Sequence, residues 1–462
     1  MNEKPSRPTS PATSSLSRRL ALGAATAAVF AGLAGFGSVN AQQKMQLQFW
    51  HGFTGTLAQQ LEAVVAGFNA SQNQYQVVPS NKGTYPETMV AAIASFRSGN
   101  PPHIVQMFEV GTATMMNARG AIKPVQELMK EAGIPFDPKA FIGPVRGYYS
   151  TLEGEMLSMP FNSSTPVMWY NKDAFKKAGL DPNKPPKTWQ ELRAAATKIK
   201  AANAAPCAYS TAWPTWIQFE NFAAIHNIPL ATKNNGMGGT DVALRLSDPL
   251  FQRHTQTLVD MHKEGTFKYG GRDSRGDSLF ATGECAIVTA SSGLRSGVIR
   301  DAKFDWGVAP LPYYSDVRGA PRNSIIGGAS LWVMASPRRT AEEYKGVAEF
   351  FRYINQPEVA AKWHQDTGYV PLTTAVYERT KASGFYDKNP GTEIPILQMT
   401  RTELSPNTMG VRLGNFQEIR TIMQEELERA FNGQLTVKQA LANMVTRGNK
   451  VLRDFDRANR AR

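Results

Sequence analysis

The chain has 462 residues, a net charge of +13, 42% hydrophobic residues and only two cysteines. These values exclude a disulfide-dependent scaffold, and a single long uncharged run near the N-terminus excludes a protein with several membrane spans. The basic balance favours anionic partners, but no block of five basic residues occurs, which argues against binding to nucleic acid.

The first 41 residues have the three-part pattern of a cleavable export signal. Arg18 and Arg19 precede an uncharged run over residues 20–43, with small residues that suit cleavage after Ala41. An uncleaved membrane anchor would need a run richer in Leu and Ile, and no cysteine follows the cleavage site to carry a lipid. The arginine pair is compatible with twin-arginine export as well as the general secretory route. Removing four basic residues and one acidic residue lowers the net charge from +13 to +10.

Cys207 and Cys285 are the two cysteines. An oxidising compartment outside the cytoplasm permits a disulfide between them. Cys285 also begins an apolar run over residues 285–290 that is typical of a buried strand. A disulfide and two separate buried thiols therefore both remain open.

Strand-like and helix-like patterns alternate over residues 45–109, at the start of the mature chain. This alternation predicts an α/β fold with mostly parallel sheets flanked by helices. In such sheets ligands bind beyond the carboxyl ends of the strands. Residues 50–53, 109–111 and 162–165 are expected at those ends.

Extended segments at residues 160–170, 306–312 and 368–372 predict three crossings between two lobes. Two interleaved lobes suit a mature chain of this length better than one continuous domain. The predicted division gives residues 42–164 and 309–368 to the first lobe and residues 165–308 and 369–462 to the second.

Residues 170–192 resemble the family 1 extracellular solute-binding proteins of ATP-binding-cassette importers. They contain Tyr-Asn-Lys-Asp at 170–173, Ala-Gly-Leu-Asp-Pro at 178–182 and Pro-Pro-Lys-Thr-Trp-Gln-Glu-Leu at 185–192. Gly179 is suited to end one helix, and Thr188 with Glu191 predicts a capping box at the start of the next.

Further segments extend the resemblance over nearly all of the mature chain, and they are similar to the branch of this family that binds sn-glycerol 3-phosphate. These segments are residues 108–116, 160–166, 325–332, 368–369 and 413–415. The resemblance implies a type II periplasmic-binding-protein fold. It also implies a monomeric periplasmic receptor without a cofactor, a metal or enzymatic activity. Such a receptor closes its lobes on sn-glycerol 3-phosphate or a glycerophosphodiester such as glycerophosphocholine, and delivers it to inner-membrane permease subunits and their ATPase.

The resemblance places ligand contacts at nine positions, which are Tyr85, Glu109, Ser164, Trp213, Trp216, Ser291, Gly328, Tyr369 and Arg412. Arg412 stands in a short apolar stretch, where its guanidinium suits a phosphate or a structural salt bridge between lobes. Ser291 precedes a predicted helix over residues 294–301 and suits an anion site or a plain N-cap. Gly328 suits a close backbone approach to a ligand or an ordinary turn.

The other predicted contacts also have alternative roles. Glu109 suits acceptance of hydrogen bonds from glycerol hydroxyls, because a carboxylate repels a phosphate dianion. Trp213 and Trp216 suit an apolar wall, a cation-π face for choline, or the core.

Two other function classes remain open. Residues 170–192 are shared with sugar-binding relatives, so the ligand could be a neutral oligosaccharide. A periplasmic hydrolase would need a reacting group, but H-E-x-x-H, G-x-S-x-G, C-x-x-C and P-loop motifs are all absent, and the six histidines lack metal-ligand spacing.

Overall fold

The structure is a computed structural model that describes residues 43–460. The predicted export signal over residues 1–41 lies outside the described residues. Among residues 43–460, no helix combines the length and the apolar character that are needed to cross a membrane.

Across the described residues, eleven strands form two separate sheets. The first sheet has the order β2-β1-β3-β11-β4, with β5 also paired to β11, and the second has the order β10-β6-β9-β7-β8. The strands are β1 Met45–His51, β2 Tyr75–Asn81, β3 Ile104–Phe108, β4 Ile122–Lys123, β5 Met159–Ser164, β6 Pro166–Asn171, β7 Cys207–Thr211, β8 Phe267–Tyr269, β9 Cys285–Ser291, β10 Trp306–Ala309 and β11 Gly327–Met334.

Both sheets are mixed, whereas the sequence predicts mostly parallel ones. Strand β1 runs parallel to β2 and β3, and β7 runs parallel to β8 and β9. The antiparallel strands are β11 in the first sheet and β6 in the second. Each of these two strands enters its sheet from the other sheet, so the strand–helix–strand connection that makes neighbours parallel does not constrain it.

Helices cover the sheets and fill the regions between strands. The α-helices are Gly55–Ser71, Tyr85–Arg97, Thr112–Asn117, Val125–Glu131, Gly143–Tyr149, Lys172–Lys177, Trp189–Ala201, Phe222–Ile225, Pro249–Lys263, Ser278–Ala281, Arg295–Asp301, Ala341–Ile354, Pro357–Thr367, Thr374–Ala382, Phe385–Lys388, Ile394–Met399, Phe416–Phe431 and Val437–Arg460. Tighter 3-10 turns occur at Glu109–Gly111, Pro138–Ala140, Asp273–Asp277 and Ser292–Leu294, and a π-helical turn occurs at Trp216–Asn221. Residues 232–235 form a short turn with left-handed backbone angles.

The predicted capping box is confirmed. The Glu191 N–H donates to the Thr188 hydroxyl over 3.2 Å, and the Thr188 N–H donates to the Glu191 carboxylate over 3.1 Å. Gly179 adopts a φ of +68° directly after the preceding helix, a conformation that glycine adopts without steric cost. Local sequence therefore determines how this segment enters and leaves its helices.

The chain passes between the two sheets near the middle of the molecule. Strand β5 ends at Ser164 in the first sheet and β6 begins at Pro166 in the second. The return passage lies within residues 310–326, between β10 and β11. The buried Thr165 hydroxyl donates to the Ser324 hydroxyl over 2.6 Å, so the outgoing and returning passages are tied together.

The chain stays on the side of the first sheet beyond residue 368, where the sequence predicts a third crossing. The Ile142 N–H donates to the Leu372 carbonyl over 2.9 Å, and Phe141 pairs with Thr373 in an isolated bridge. Gln398 then donates from its side chain to the Pro166 carbonyl of the second sheet over 2.8 Å. The chain therefore reaches the second sheet between residues 373 and 398.

Cys207 and Cys285 form a disulfide, which decides between the two alternatives that the sequence left open. The two residues are direct partners in the parallel pairing of β7 with β9, and their Cα atoms are 4.3 Å apart. The bond lies at the beginning of both strands, and the same strands end at the segment before Trp213 and at Ser291.

Reduction of this disulfide is expected to lower the free energy of unfolding by about 2–4 kcal/mol, because it closes a loop of 78 residues in the unfolded chain. Urea unfolding with and without dithiothreitol measures the difference. A Cys207→Ser/Cys285→Ser double variant is the control, since its unfolding midpoint should not respond to the reductant. If the reductant also leaves the unfolding midpoint of the native protein unchanged, the expectation is contradicted.

Candidate ligand-binding site

A cavity of about 770 Å³ opens where the two sheets face each other. It adjoins the carboxyl ends of β5, β7 and β9 and the first residues of β11, which is antiparallel and so begins at the edge where its neighbours end. Eight of the nine predicted contacts line it, and they are Tyr85, Glu109, Ser164, Trp213, Trp216, Ser291, Gly328 and Tyr369.

Glu109 supplies a buried carboxylate to one wall of the cavity. It follows β3 and begins a 3-10 turn, and its Oε1 lies 2.7 Å from Nη2 of Arg420. The same guanidinium binds Glu220 through two further contacts of 2.7 Å. Burial raises the pKa of Glu109, and Arg420 opposes that shift. The three side chains form a buried charge cluster, called the Arg420 cluster below, that holds Glu109 in place as a hydrogen-bond acceptor.

Two tyrosines face the same region of the cavity. Asn162 donates to the Tyr85 hydroxyl over 2.9 Å and accepts from Gln106 over 3.0 Å, so an amide pair orients that hydroxyl. Burial raises the pKa of Tyr85 and of Tyr369, and the two hydroxyls interact with each other. Both remain neutral at ordinary pH and can donate as well as accept hydrogen bonds. The positioning role of Asn162 and Gln106 depends on strand pairing and gives no signal in the sequence.

Gly328 occupies a position that excludes any side chain. Its φ is +83°, and a Cβ atom there would lie 2.0 Å from the carbonyl oxygen of Asn162. At the neighbouring Gly327 a Cβ atom would lie 2.3 Å from the Trp216 ring. The two glycines therefore permit a close backbone approach between strands and the packing of a tryptophan across the floor of the cavity.

The two tryptophans are held differently. Trp216 is buried at the start of the π-helical turn, and its indole N–H donates to the Ile326 carbonyl over 3.3 Å. Trp213 has a φ of +46°, which is rare outside glycine, and its backbone N–H donates to the Asp273 carbonyl over 2.7 Å. Unusual backbone angles of this kind are often found at functional sites. Trp216 forms a fixed wall, while Trp213 stands beside the loop that carries Asp273.

Ser291 is the N-cap of a 3-10 turn that continues into the helix Arg295–Asp301. Its hydroxyl oxygen accepts from the Gly293 N–H over 3.1 Å, so the plain capping role is present. The hydroxyl hydrogen stays free to donate into the cavity, which Ser291 lines. Gly293 also lies against Tyr369, because a Cβ atom there would be 2.9 Å from that ring. The capping role and a ligand role are therefore compatible.

Arg412 is not among the residues that line the cavity, and its role as a phosphate fork stays a prediction. Its Nη1 donates to the carbonyl oxygens of Tyr148 over 3.1 Å and Ser150 over 2.8 Å, and its Nη2 donates to that of Met237 over 3.1 Å. The acceptors of these three bonds are backbone carbonyls and not carboxylates. Arg412 therefore ties three chain segments together, close to the structural alternative considered from the sequence.

Sequence reasoning missed the charged loop at one side of the cavity, the 3-10 turn Asp273–Asp277 with Arg272 before it. Arg272 makes two contacts with Glu428, and burial raises the pKa of Asp277 to about 7. The Oδ1 atom of Asp277 is shielded from solvent and has no hydrogen-bond partner within residues 43–460. A cluster of Gly, Asp and Arg between two apolar segments is the only signal that the sequence offers for this loop, and it is also typical of an ordinary turn.

Histidine residues do not build a metal centre in the described part of the chain, where no group of three potential metal ligands is found. Burial lowers the pKa of His51 to about 4 and of His364 to about 4. Both remain neutral at ordinary pH and act within the core.

Replacement of Arg420 by methionine is expected to destabilise the protein by about 3–5 kcal/mol, because Glu109 and Glu220 are then buried without a cation. The folded-state pKa of Glu109 is already raised by burial, and it rises further without Arg420. At low pH, protonation removes the unpaired buried charge from the variant, so the loss of stability is smaller there and grows as pH rises. Urea unfolding at about pH 5 and about pH 8 measures both effects.

The control for this variant is Arg193→Met, which removes the exposed Arg193–Glu264 ion pair and should cost less than about 1 kcal/mol at either pH. An Arg420→Met loss that is the same at both pH values would contradict the presence of uncompensated carboxylates.

Comparisons with known proteins identify relatives of this chain. The sn-glycerol-3-phosphate-binding periplasmic protein of Yersinia pseudotuberculosis is 50% identical over 424 residues, covering 92% of this chain and 96% of that protein. The protein of the same name from Salmonella typhimurium is 48% identical over 445 residues, covering 96% and 99%.

Solved structures share the fold. UgpB from Mycobacterium tuberculosis in complex with glycerophosphocholine matches with a TM-score of 0.74 at 20% identity, over 88% of this chain and 98% of that one. The cyclic alpha-maltosyl-1,6-maltose binding protein from Arthrobacter globiformis matches with a TM-score of 0.68 at 24% identity, over 89% and 100%. The model of the bacterial extracellular solute-binding proteins matches residues 54–361. The chain belongs to the bacterial extracellular solute-binding protein family, a family of two-lobed binding proteins and not of enzymes.

Proposed function

We propose that this protein captures sn-glycerol 3-phosphate and glycerophosphodiesters such as glycerophosphocholine, and delivers them to the membrane permease of an ATP-binding-cassette importer. The names of the relatives at about 50% identity support this solute class, as does the ligand in the related Mycobacterium tuberculosis structure. The relatives are named as periplasmic, which supports export by the predicted signal to the periplasm. We further propose that the receptor is a monomer and that an ATPase drives its permease.

The observation that carries this proposal is the distribution of donors and acceptors around the cavity. Glu109, fixed by the Arg420 cluster, is suited to accept hydrogen bonds from glycerol hydroxyls, with Tyr85 beside it. Ser291 offers a hydroxyl donor at the start of a helix, where the local dipole favours a phosphate. Trp216 offers an apolar face to the glycerol carbons. A phosphorylated polyol meets all of these groups at once.

The capture mechanism that we propose is closure of two lobes, one around each sheet. One lobe consists of residues 43–164 with residues 327–373, and the other is built around β6–β10 and the C-terminal helices. The hydrogen bond from Thr165 to Ser324 joins the two segments in which the chain passes between the lobes, and this supports a hinge at that point. A ligand shifts the lobes towards the closed form only through its greater affinity for that form.

Ligand binding by residues 42–462 is tested by thermal unfolding with glycerol 3-phosphate, glycerophosphocholine and maltose. A solute that binds only the native state at one hundred times its Kd adds about 2.7 kcal/mol and raises Tm. We expect the two phosphates to raise Tm and maltose to leave it unchanged. Stabilisation by maltose alone would support the neutral-oligosaccharide alternative.

Ser291→Ala is expected to weaken the binding of both phosphate ligands by about tenfold, the value of one lost charge-assisted hydrogen bond. Isothermal titration calorimetry measures this change. The matched control is Ser71→Ala at the exposed end of the helix Gly55–Ser71, away from the cavity. An unchanged Kd for Ser291→Ala would move the phosphate site elsewhere in the cavity.

Arg412→Ala is expected to lower the unfolding midpoint, because three buried carbonyls lose their donor. Circular-dichroism melting and calorimetry on the same sample separate stability from affinity. A variant that keeps the native Tm but loses phosphate binding would show that Arg412 contacts the ligand after all.

A further inference from the structure

The cavity lining also contains the carboxyl group of Asp277, which makes no salt bridge within residues 43–460. The charge of Glu109 is balanced by Arg420 at 2.7 Å, whereas Oδ1 of Asp277 lacks a hydrogen-bond partner among residues 43–460. The Trp213 indole lies close enough to the Asp277 carboxyl to lower its pKa, against the effect of burial. Both residues line the cavity. A site built for phosphate alone gains nothing from an unpaired carboxyl, because an ionised carboxylate repels an anion.

Other charged groups around the cavity are already engaged or act elsewhere. On the same loop, Arg272 is held by Glu428 through contacts of 2.7 and 2.5 Å. On the helix Arg295–Asp301, Arg300 and Asp301 pair with each other. Arg272, Arg300 and Asp301 therefore each have a charged partner other than Asp277.

Four more ionisable groups face this region of the cavity. Asp273 and Arg275 lie on the same loop as Asp277, and Glu87 lies on the helix Tyr85–Arg97, where it is held by Thr84. The Tyr369 hydroxyl stands near Asp277, since the Asp277 charge contributes to the raised pKa of Tyr369. None of the four appears among the influences on the pKa of Asp277.

We propose that Asp277 and the Trp213 ring form a subsite for a cationic headgroup, so that the preferred solute is a glycerophosphodiester carrying an ammonium or trimethylammonium group. This inference rests on the function proposed above and specifies the headgroup. An aromatic face within about 6 Å of a quaternary ammonium attracts it electrostatically. A carboxylate beside that face supplies the opposite charge, and a trimethylammonium group needs no hydrogen-bond acceptor from the protein. The phosphate is left to Ser291, on a different element.

Protonation explains how the cavity wall accommodates the carboxyl group of Asp277. An ionised carboxylate without a partner is costly to bury, and this cost raises its pKa to about 7. A bound cation favours the ionised form and lowers that pKa. A cationic headgroup therefore binds more tightly as pH rises towards 7, and below pH 7 its binding releases a proton from Asp277. A neutral headgroup on the same phosphodiester gains nothing from ionised Asp277, so its affinity is level or falls as pH rises.

The test compares glycerophosphocholine with glycerophosphoglycerol, since both are phosphodiesters that do not titrate near pH 7. Calorimetry at about pH 5.5 and about pH 8 should show that glycerophosphocholine binds about tenfold more weakly at the lower pH. Glycerophosphoglycerol should change by less than about twofold, or in the opposite direction. At about pH 6, titrations in two buffers of different ionisation enthalpy should detect proton release with glycerophosphocholine alone.

Asp277→Asn keeps the shape of the side chain and an acceptor for Trp213, but it removes the charge. It should abolish the pH dependence and weaken glycerophosphocholine binding at pH 8 by about tenfold, while glycerophosphoglycerol binding holds. The control is Asp241→Asn, an exposed carboxylate outside the cavity lining. If Asp277→Asn does not fold, the proton-release measurement on the native protein decides the question.

The calorimetry distinguishes failure of the cationic subsite from failure of the proposed function. If both diesters bind with the same Kd and the same pH profile, or if Asp277→Asn retains the headgroup preference, the cationic subsite is overturned while the proposed solute class stands. If neither diester binds, the proposed function itself fails, and the subsite fails with it.

Discussion

Arg420 is the side chain on which the ligand site most depends. It is buried between Glu109 and Glu220, and these three residues come from the helix Phe416–Phe431, the turn after β3 and the π-helical turn. A buried charge is tolerated only when it is paired and hydrogen-bonded. If one of these segments moved away, the charges on the other two would stay buried without their partner, at a large cost in free energy. The helix Phe416–Phe431 thereby determines the position of an acceptor that is more than 300 residues away in the chain.

Close backbone contacts shape the rest of the cavity. Gly328 lies so close to Asn162 that no side chain fits, and the Asn162 amide in turn orients the Tyr85 hydroxyl. Trp216 packs over Gly327 in the same way. These contacts connect the first sheet to the wall contributed by the second. A solute bound between the sheets therefore meets groups whose orientations are determined by packing before it arrives, which reduces the entropy lost on binding.

Two acidic residues of the cavity illustrate how environment separates similar groups. Glu109 has a cation at hydrogen-bond distance, whereas Oδ1 of Asp277 has no hydrogen-bond partner within residues 43–460, and burial raises the pKa of both. The first is suited to accept hydrogen bonds from hydroxyls, and the second to respond to an arriving charge. Their positions on different elements give the cavity two chemically different regions, which suits a solute with a polar glycerol part and a separate headgroup.

The sequence by itself determined the local elements and the family. The capping box at Thr188, the helix end at Gly179 and the strands over residues 45–109 follow from backbone preferences and periodicity, which act over a few residues. Eight predicted contacts line one cavity because a family resemblance carries positions that local patterns cannot.

Only the tertiary structure decided the antiparallel entry of β11, the disulfide and the carbonyl contacts of Arg412. It also decided that Oδ1 of Asp277 has no partner among residues 43–460. Each depends on which distant groups meet in space. An arginine whose guanidinium donates to three carbonyls and an arginine whose guanidinium contacts a ligand look the same in sequence, because the fold determines the hydrogen-bond partners.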